Sequence, residues 1–79
     1  MDLRAAASKV LARASGRSEG DLRPELDLVA DLGIDSPKQL ELLIELEEAL
    51  NVEISDEDAA ALETVGDILD YAAGVGATA

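Results

Sequence analysis

Leu3, Ala7, Val10, Leu11 and Ala14 recur at helical spacing, Lys9, Arg13 and Arg17 form a separate row, and Gly16 stands where a helix would end. A first amphipathic helix follows from this pattern. Over residues 16–35 the period breaks around Gly20, Pro24 and Gly33, yet Leu22, Leu26, Leu28, Val29, Leu32 and Ile34 keep the stretch apolar. A long loop of this composition is expected to pack down onto a core. At Asp35-Ser36-Pro37-Lys38-Gln39 a helix start is written in three ways: Ser36 as N-cap, Pro37 at the first helical position and Gln39 completing a capping box. This second helix is expected to run to about Leu50, with Asn51 as its stop. Ser55, followed by Asp56, Glu57 and Asp58, is another N-cap with acids where the helix dipole favours them, and predicts a short third helix ending near Leu62. Thr64 and Asp67 repeat the capping box, and Val65, Ile68, Leu69 and Ala72 form a one-sided stripe. Gly74 and Gly76 are expected to end this fourth helix, leaving 74–79 as a frayed tail. The expectation is one all-α domain over 1–79, a four-helix bundle with a long first loop and a short third helix.

Separating the faces of the second helix at about 100° per residue places Gln39, Leu42, Leu43, Leu46, Ala49 and Leu50 on one arc, the core face. Leu40 and Ile44 fall on another side, shared with Glu47 and flanked by Glu41 and Glu48. Three readings of this pair stand open. Another element covers them, they are scattered surface apolars, or they form a strip that enters a partner's apolar groove while the acids meet its Arg and Lys. Glu45 reads as part of a solvated face. Ser55-Asp56-Glu57-Asp58 lacks the full ligand spacing of a calcium loop.

Composition narrows the chemistry. Of 79 residues 48% are apolar, but only Tyr71 is aromatic, so the core must be built from Leu, Ile, Val and Ala, as helix-on-helix packing allows. The chain has no Cys and no His, which removes thiolate nucleophiles, disulfides and the commonest general base. An enzyme is therefore the least expected class. With 18 acidic against 6 basic residues the formal charge is −12, which disfavours nucleic acid and anionic membranes and favours basic protein partners. The charge is uneven: residues 1–23 hold five of the six basic residues and three acids, leaving 15 acids against Lys38 alone downstream. No stretch approaches membrane-spanning length, so a soluble, cytoplasmic monomer is expected, with no membrane insertion.

The run Asp31-Leu32-Gly33-Ile34-Asp35-Ser36, continuing through Leu40-Glu41-Leu42 and Leu46-Glu47-Glu48, resembles the acyl carrier proteins of fatty-acid and polyketide synthesis. Val52-Glu53-Ile54-Ser55-Asp56-Glu57-Asp58-Ala59, Thr64-Val65 and Asp70-Tyr71 look like the third and fourth helices of the same family. The resemblance spans residues 22 to 74, while the first helix matches only in length, position and spacing.

This resemblance implies a four-helix bundle in which Ser36 carries 4′-phosphopantetheine through a phosphodiester, delivered from coenzyme A by a phosphopantetheinyl transferase. Asp35 is implied as a motif residue that the transferase or its metal recognises. Leu40, Glu41, Ile44, Glu47 and Glu48 are implied as the surface for acyl-transfer, condensing and reducing enzymes with basic docking patches. Three positions depart from the family pattern. Pro37 and Lys38 stand where the family has Leu, often followed by an acid, and Leu50 stands where many fatty-acid carriers have Phe. A peptidyl or aminoacyl carrier, and a non-covalent helical module in which Ser36 only caps its helix, are the alternatives.

Overall fold

The first four N–H groups of a helix have no partner within it, so the residues that satisfy them decide where each helix begins. In a computed structural model, which describes residues 2–78 and side chains as far as Val75, four α-helices begin at such caps or boxes. Helix α1 is Leu3–Ser15, and the Asp2 carboxylate accepts from the N–H groups of Arg4 and Ala5 at 3.1 and 3.2 Å. Gly16 closes it in the left-handed conformation, φ 71°. A single 3₁₀ turn, Glu19–Asp21, follows. Helix α2 is Ser36–Leu50 and ends at Asn51, whose φ of 56° suits a residue type that tolerates this region. Helix α3 is Asp56–Ala61, capped by Ser55 Oγ, which accepts from Asp58 N at 3.1 Å. Helix α4 is Val65–Thr78. The expected all-α bundle with a long first loop and a short third helix is what forms.

The predicted box at Thr64 and Asp67 is present in both directions. Asp67 N–H donates to Thr64 Oγ1 and Thr64 N–H to Asp67 Oδ2, each at 3.1 Å. Glu63 N–H adds a third bond to the same carboxylate oxygen. The other end of α4 departs from expectation, since the helix passes through Gly74 instead of ending there. A glycine ends a helix by taking positive φ, and among the described glycines only Gly16 and Gly33 do so. The frayed tail expected over 74–79 concerns side chains that, from residue 76 on, lie outside the described residues.

Packing follows the apolar stripes. Ala7, Val10 and Leu11 of α1, Leu42, Leu46 and Leu50 of α2, and Val65, Ile68 and Ala72 of α4 are buried together. The first loop adds Leu28, Leu32 and Ile34 to this cluster, with Leu22 and Leu26 packed at its edge, so the loop is indeed held down. Val29 is the exception, at 54% exposure. The α3 helix contributes no buried residue.

Backbone pairing fixes the loop. Leu28 N–H donates to Glu63 O, Val65 N–H to Leu26 O and Gly66 N–H to Pro24 O, at 2.9–3.0 Å, forming a short antiparallel bridge between Asp27 and Thr64. Gly66 permits this approach: a Cβ there would lie 3.1 Å from Pro24 O.

Asp67 is the titratable group on which the start of α4 depends. The N–H groups of Glu63 and Thr64 hold its carboxyl below the usual carboxylate range; burial opposes them and the Thr64 hydroxyl adds to them. A depressed folded-state pKa gives stability that is present above the unfolded value and lost as pH falls through the folded one. Thr64→Ala is expected to cost about 1 kcal/mol at neutral pH by denaturant unfolding. Asp67→Asn should be less stable than wild type at pH 7, with the gap closing below about pH 4. A gap as wide at pH 3 as at pH 7 would contradict the assignment.

Candidate functional site

The start of α2 is shaped from upstream. Asp27 Oδ1 accepts from the N–H groups of Val29 and Ala30, both at 2.8 Å, an Asx-type turn. Asp31 closes the same turn from the far side. Its carboxylate accepts from Asp27 N at 2.7 Å, and its own N–H donates to Asp27 O. Gly33 then turns the chain out at φ 68°, a conformation that costs an L side chain about 1–2 kcal/mol. Ile34 follows, fully buried, with its N–H bonded to Leu28 O at 2.9 Å. Arg17 ties the outside of the turn by donating to Asp31 O at 3.0 Å.

With Ile34 pinned, Asp35 falls at the helix boundary. It is the N-cap of α2: its backbone is extended, its Oδ1 accepts from Lys38 N at 3.1 Å, and its carbonyl accepts the first helical bond, from Gln39 N, at 2.8 Å. This corrects the expectation that Ser36 is the cap, because Ser36 is the first residue of the helix and Pro37 the second. Asp caps as well as Ser does, and its charge is favoured at the positive end of the helix. The shift of one residue also undoes the predicted box with Gln39, since the third helical position is now Lys38, which has no acceptor to offer.

The Ser36 hydroxyl is left exposed, with no hydrogen bond to a described residue. Pro37 has no N–H to satisfy and Asp35 takes that of Lys38, so little of the helix start competes for the Ser36 hydroxyl. Lys38 points away toward the C-terminal end of α1, its Nζ 3.5 Å from Ala14 O, and lines a groove with Arg13, Glu41 and Glu45.

Farther along α2 the two faces separate as predicted. Leu42, Leu46 and Leu50 are buried while Leu40 is 65% and Ile44 54% exposed, so no other element covers this pair. Glu41 and Glu48 are exposed and have no partner among the described residues. Glu47 differs from the rest of the set. It is half-buried, and its Oε2 accepts from the N–H of Ile54 at 2.8 Å. Seven residues separate these two across a helix end, so no local pattern announces the bond. Asp27 was missed too, although an Asx turn is a signal that sequence carries. Among the described residues no group of acids is placed to hold a metal ion.

The start of α2 thus offers an unbonded hydroxyl at a firmly capped helix end, on a chain without Cys or His. Residues 3–72 match the family described as the phosphopantetheine attachment site. The chain is 47% identical over 64 residues to an acyl carrier protein of Syntrophobacter fumaroxidans, covering 81% of this chain and 79% of that protein. A solved structure of an acyl carrier protein from Enterococcus faecalis superposes with a TM-score of 0.76 at 34% identity, over 94% of this chain and 98% of the other. The chain belongs to the acyl carrier protein family, and it is a carrier with covalent 4′-phosphopantetheine as its cofactor, not an enzyme. No helix among the described residues is long and apolar enough to cross a membrane.

Because Asp35 holds the cap, its effect on stability is separable from its charge. Asp35→Ala is expected to lose about 1 kcal/mol in denaturant unfolding, whereas Asp35→Asn, an equally good cap, stays within a few tenths of wild type. Equal losses in both variants would show that the bond to Lys38 N is not what stabilises the α2 start.

Proposed function

We propose that Ser36 is the residue to which the arm is attached, and that the protein holds acyl intermediates as thioesters for fatty-acid or polyketide biosynthetic enzymes. The observation that supports this is the free, exposed hydroxyl of Ser36 beside a cap made by its neighbour. In the attachment step Ser36 Oγ bonds to the pantetheine-side phosphorus of coenzyme A, the anhydride breaks and the nucleotide leaves, with the hydroxyl proton passing to solvent or to a base of the transferase. The phosphodiester's negative charge is favoured at the N-terminal end of α2 by the helix dipole. Once bound, the arm supplies the thiol that a chain without Cys lacks.

Leu40, Glu41, Ile44 and Glu48 are the docking surface in this reading, with Leu40 and Ile44 as the apolar anchors and the acids as a rim for basic patches. Glu47 lies on the same arc and adds its charge there, although its carboxylate also serves Ile54. Lys38 places a cation on this chain where carriers of the family often have an acid, so partners that approach from the α1 side meet a different charge. The working form is a cytoplasmic monomer. Loading with adenylating enzymes or with acyl transferases, read by intact mass, separates an amino-acid cargo from an acyl one.

Incubation with coenzyme A and a broad-specificity phosphopantetheinyl transferase should add one arm to the wild-type mass and none to Ser36→Ala. Because Ser36 is not the cap, that variant should unfold within about 0.5 kcal/mol of wild type. An unmodified wild type, or a modified Ser36→Ala, sinks the proposal.

Leu40→Glu and Ile44→Glu should each raise the KM of the same transferase about tenfold, the equivalent of losing one buried anchor worth about 1.4 kcal/mol. Their melting temperatures should hold, since both residues are exposed. Unchanged KM in both variants would remove them from the docking surface.

A further inference from the structure

The α3 helix is the least attached element of the bundle. It has six residues, none of them buried, and only Ala59 within it and Leu62 at its C-terminal cap are half-buried. Beneath it lies an apolar cleft of about 20 Å³, between α2, the first loop and α4, lined by residues that include Leu28, Leu42, Leu43, Leu62 and Ile68. That is room for about one water, so no acyl chain enters while α3 stays where it is. Whether it moves depends on the linker that carries it.

The linker packs Val52 and Ile54 against the core, and its backbone is tied to α2 through Glu47, whose carbonyl also accepts from Asn51 N–H. The Glu47 carbonyl accepts from Val52 N at 3.1 Å, and its carboxylate accepts from Ile54 N at 2.8 Å, immediately before the Ser55 cap of α3. The second bond is to a charged acceptor and partly buried, the kind that contributes most to local stability. Tyr71 of α4 stands at the same corner: burial, then the negative charges of Asp58 and Glu47, push its hydroxyl pKa up. So the Glu47 carboxylate ties α2 to the residue before the α3 cap, and its charge is felt at Tyr71 of α4.

We infer that Glu47 is a positioning residue: its carboxylate latches the linker before α3 to α2 and so keeps shut the cleft under α3, beside the tethering point. The inference rests on the carrier reading for what the cleft admits, but not for the latch itself. Glu47 also lies on the arc of Leu40 and Ile44, so a partner cation that pairs with it competes with the Ile54 N–H. Docking and opening are thereby coupled through one side chain, while Glu41 and Glu48 remain free to hold the partner.

Amide hydrogen exchange on the whole, unmodified chain tests this. In Glu47→Ala, exchange at Ile54 and across 56–61 should rise about tenfold or more, while the central amides of α1 and α4, such as Leu11 and Ile68, should stay within about twofold. Glu47→Gln keeps an acceptor for Ile54 N–H and should return the α3 rates to within about threefold of wild type. Glu48→Ala, with the same loss of charge and no bond to lose, should match wild type. Unchanged α3 rates in Glu47→Ala overturn the inference, and so does a rise spread equally over α1 and α4. Because the arm is absent from the measurement, its result is independent of whether Ser36 accepts one.

Discussion

Leu28 donates its N–H to Glu63 O, and Leu26 O receives the N–H of Val65, so the long first loop is stitched to the start of α4 before it reaches the site. Closing a loop of this length has an entropic cost, which the buried side chains of Leu28, Leu32 and Ile34 help offset. The stitch fixes Leu28, whose carbonyl in turn receives Ile34 N–H. With Ile34 fully buried, the next residue has only one place to go, the boundary of α2. The position of Ser36 is thus inherited from the pairing of two segments more than thirty residues apart in sequence.

That inheritance separates two tasks that the motif first seems to load onto one residue. Asp35 caps the helix and Ser36 keeps its hydroxyl free, so a covalent group on Ser36 disturbs no bond on which the fold depends. Helix α2 divides its circumference in the same way. Leu42, Leu46 and Leu50 hold it to the bundle, and Leu40 and Ile44, on the opposite side, are free to meet a partner.

The helices were legible in the sequence because their signals are local. The Thr64/Asp67 box and the Ser55 cap form as the pattern predicts, as does the left-handed glycine at 16. The cap of α2 was not legible to the residue, since Asp35 and Ser36 are equally good caps and the choice between them is made by Ile34, through burial and a bond to Leu28. Gly74 misled for a related reason: a glycine is a stop only where the backbone takes positive φ, and nothing in its identity says whether it does. Glu47 was legible as a charge on a face, but its bond to Ile54 appears only once the chain has turned at Asn51.

The distribution of stability across the bundle has its own logic. In the proposed reading the Ser36 position must not move, and the chain leading to it is fixed by the fully buried Ile34 and a dense turn of backbone bonds between Asp27 and Ile34. The cleft beside it must yield if cargo is to enter, and the element above it is the shortest helix, anchored by half-buried contacts and a single side-chain bond to its linker. A carboxylate suits that last bond better than an apolar contact would. Burial strengthens with area and answers to no particular partner, whereas an ionised acceptor near the surface responds to an approaching cation. In a chain of formal charge −12, Arg23 and Glu25 form the one ion pair among the described residues, so Glu47 is paired with no cation of its own chain there.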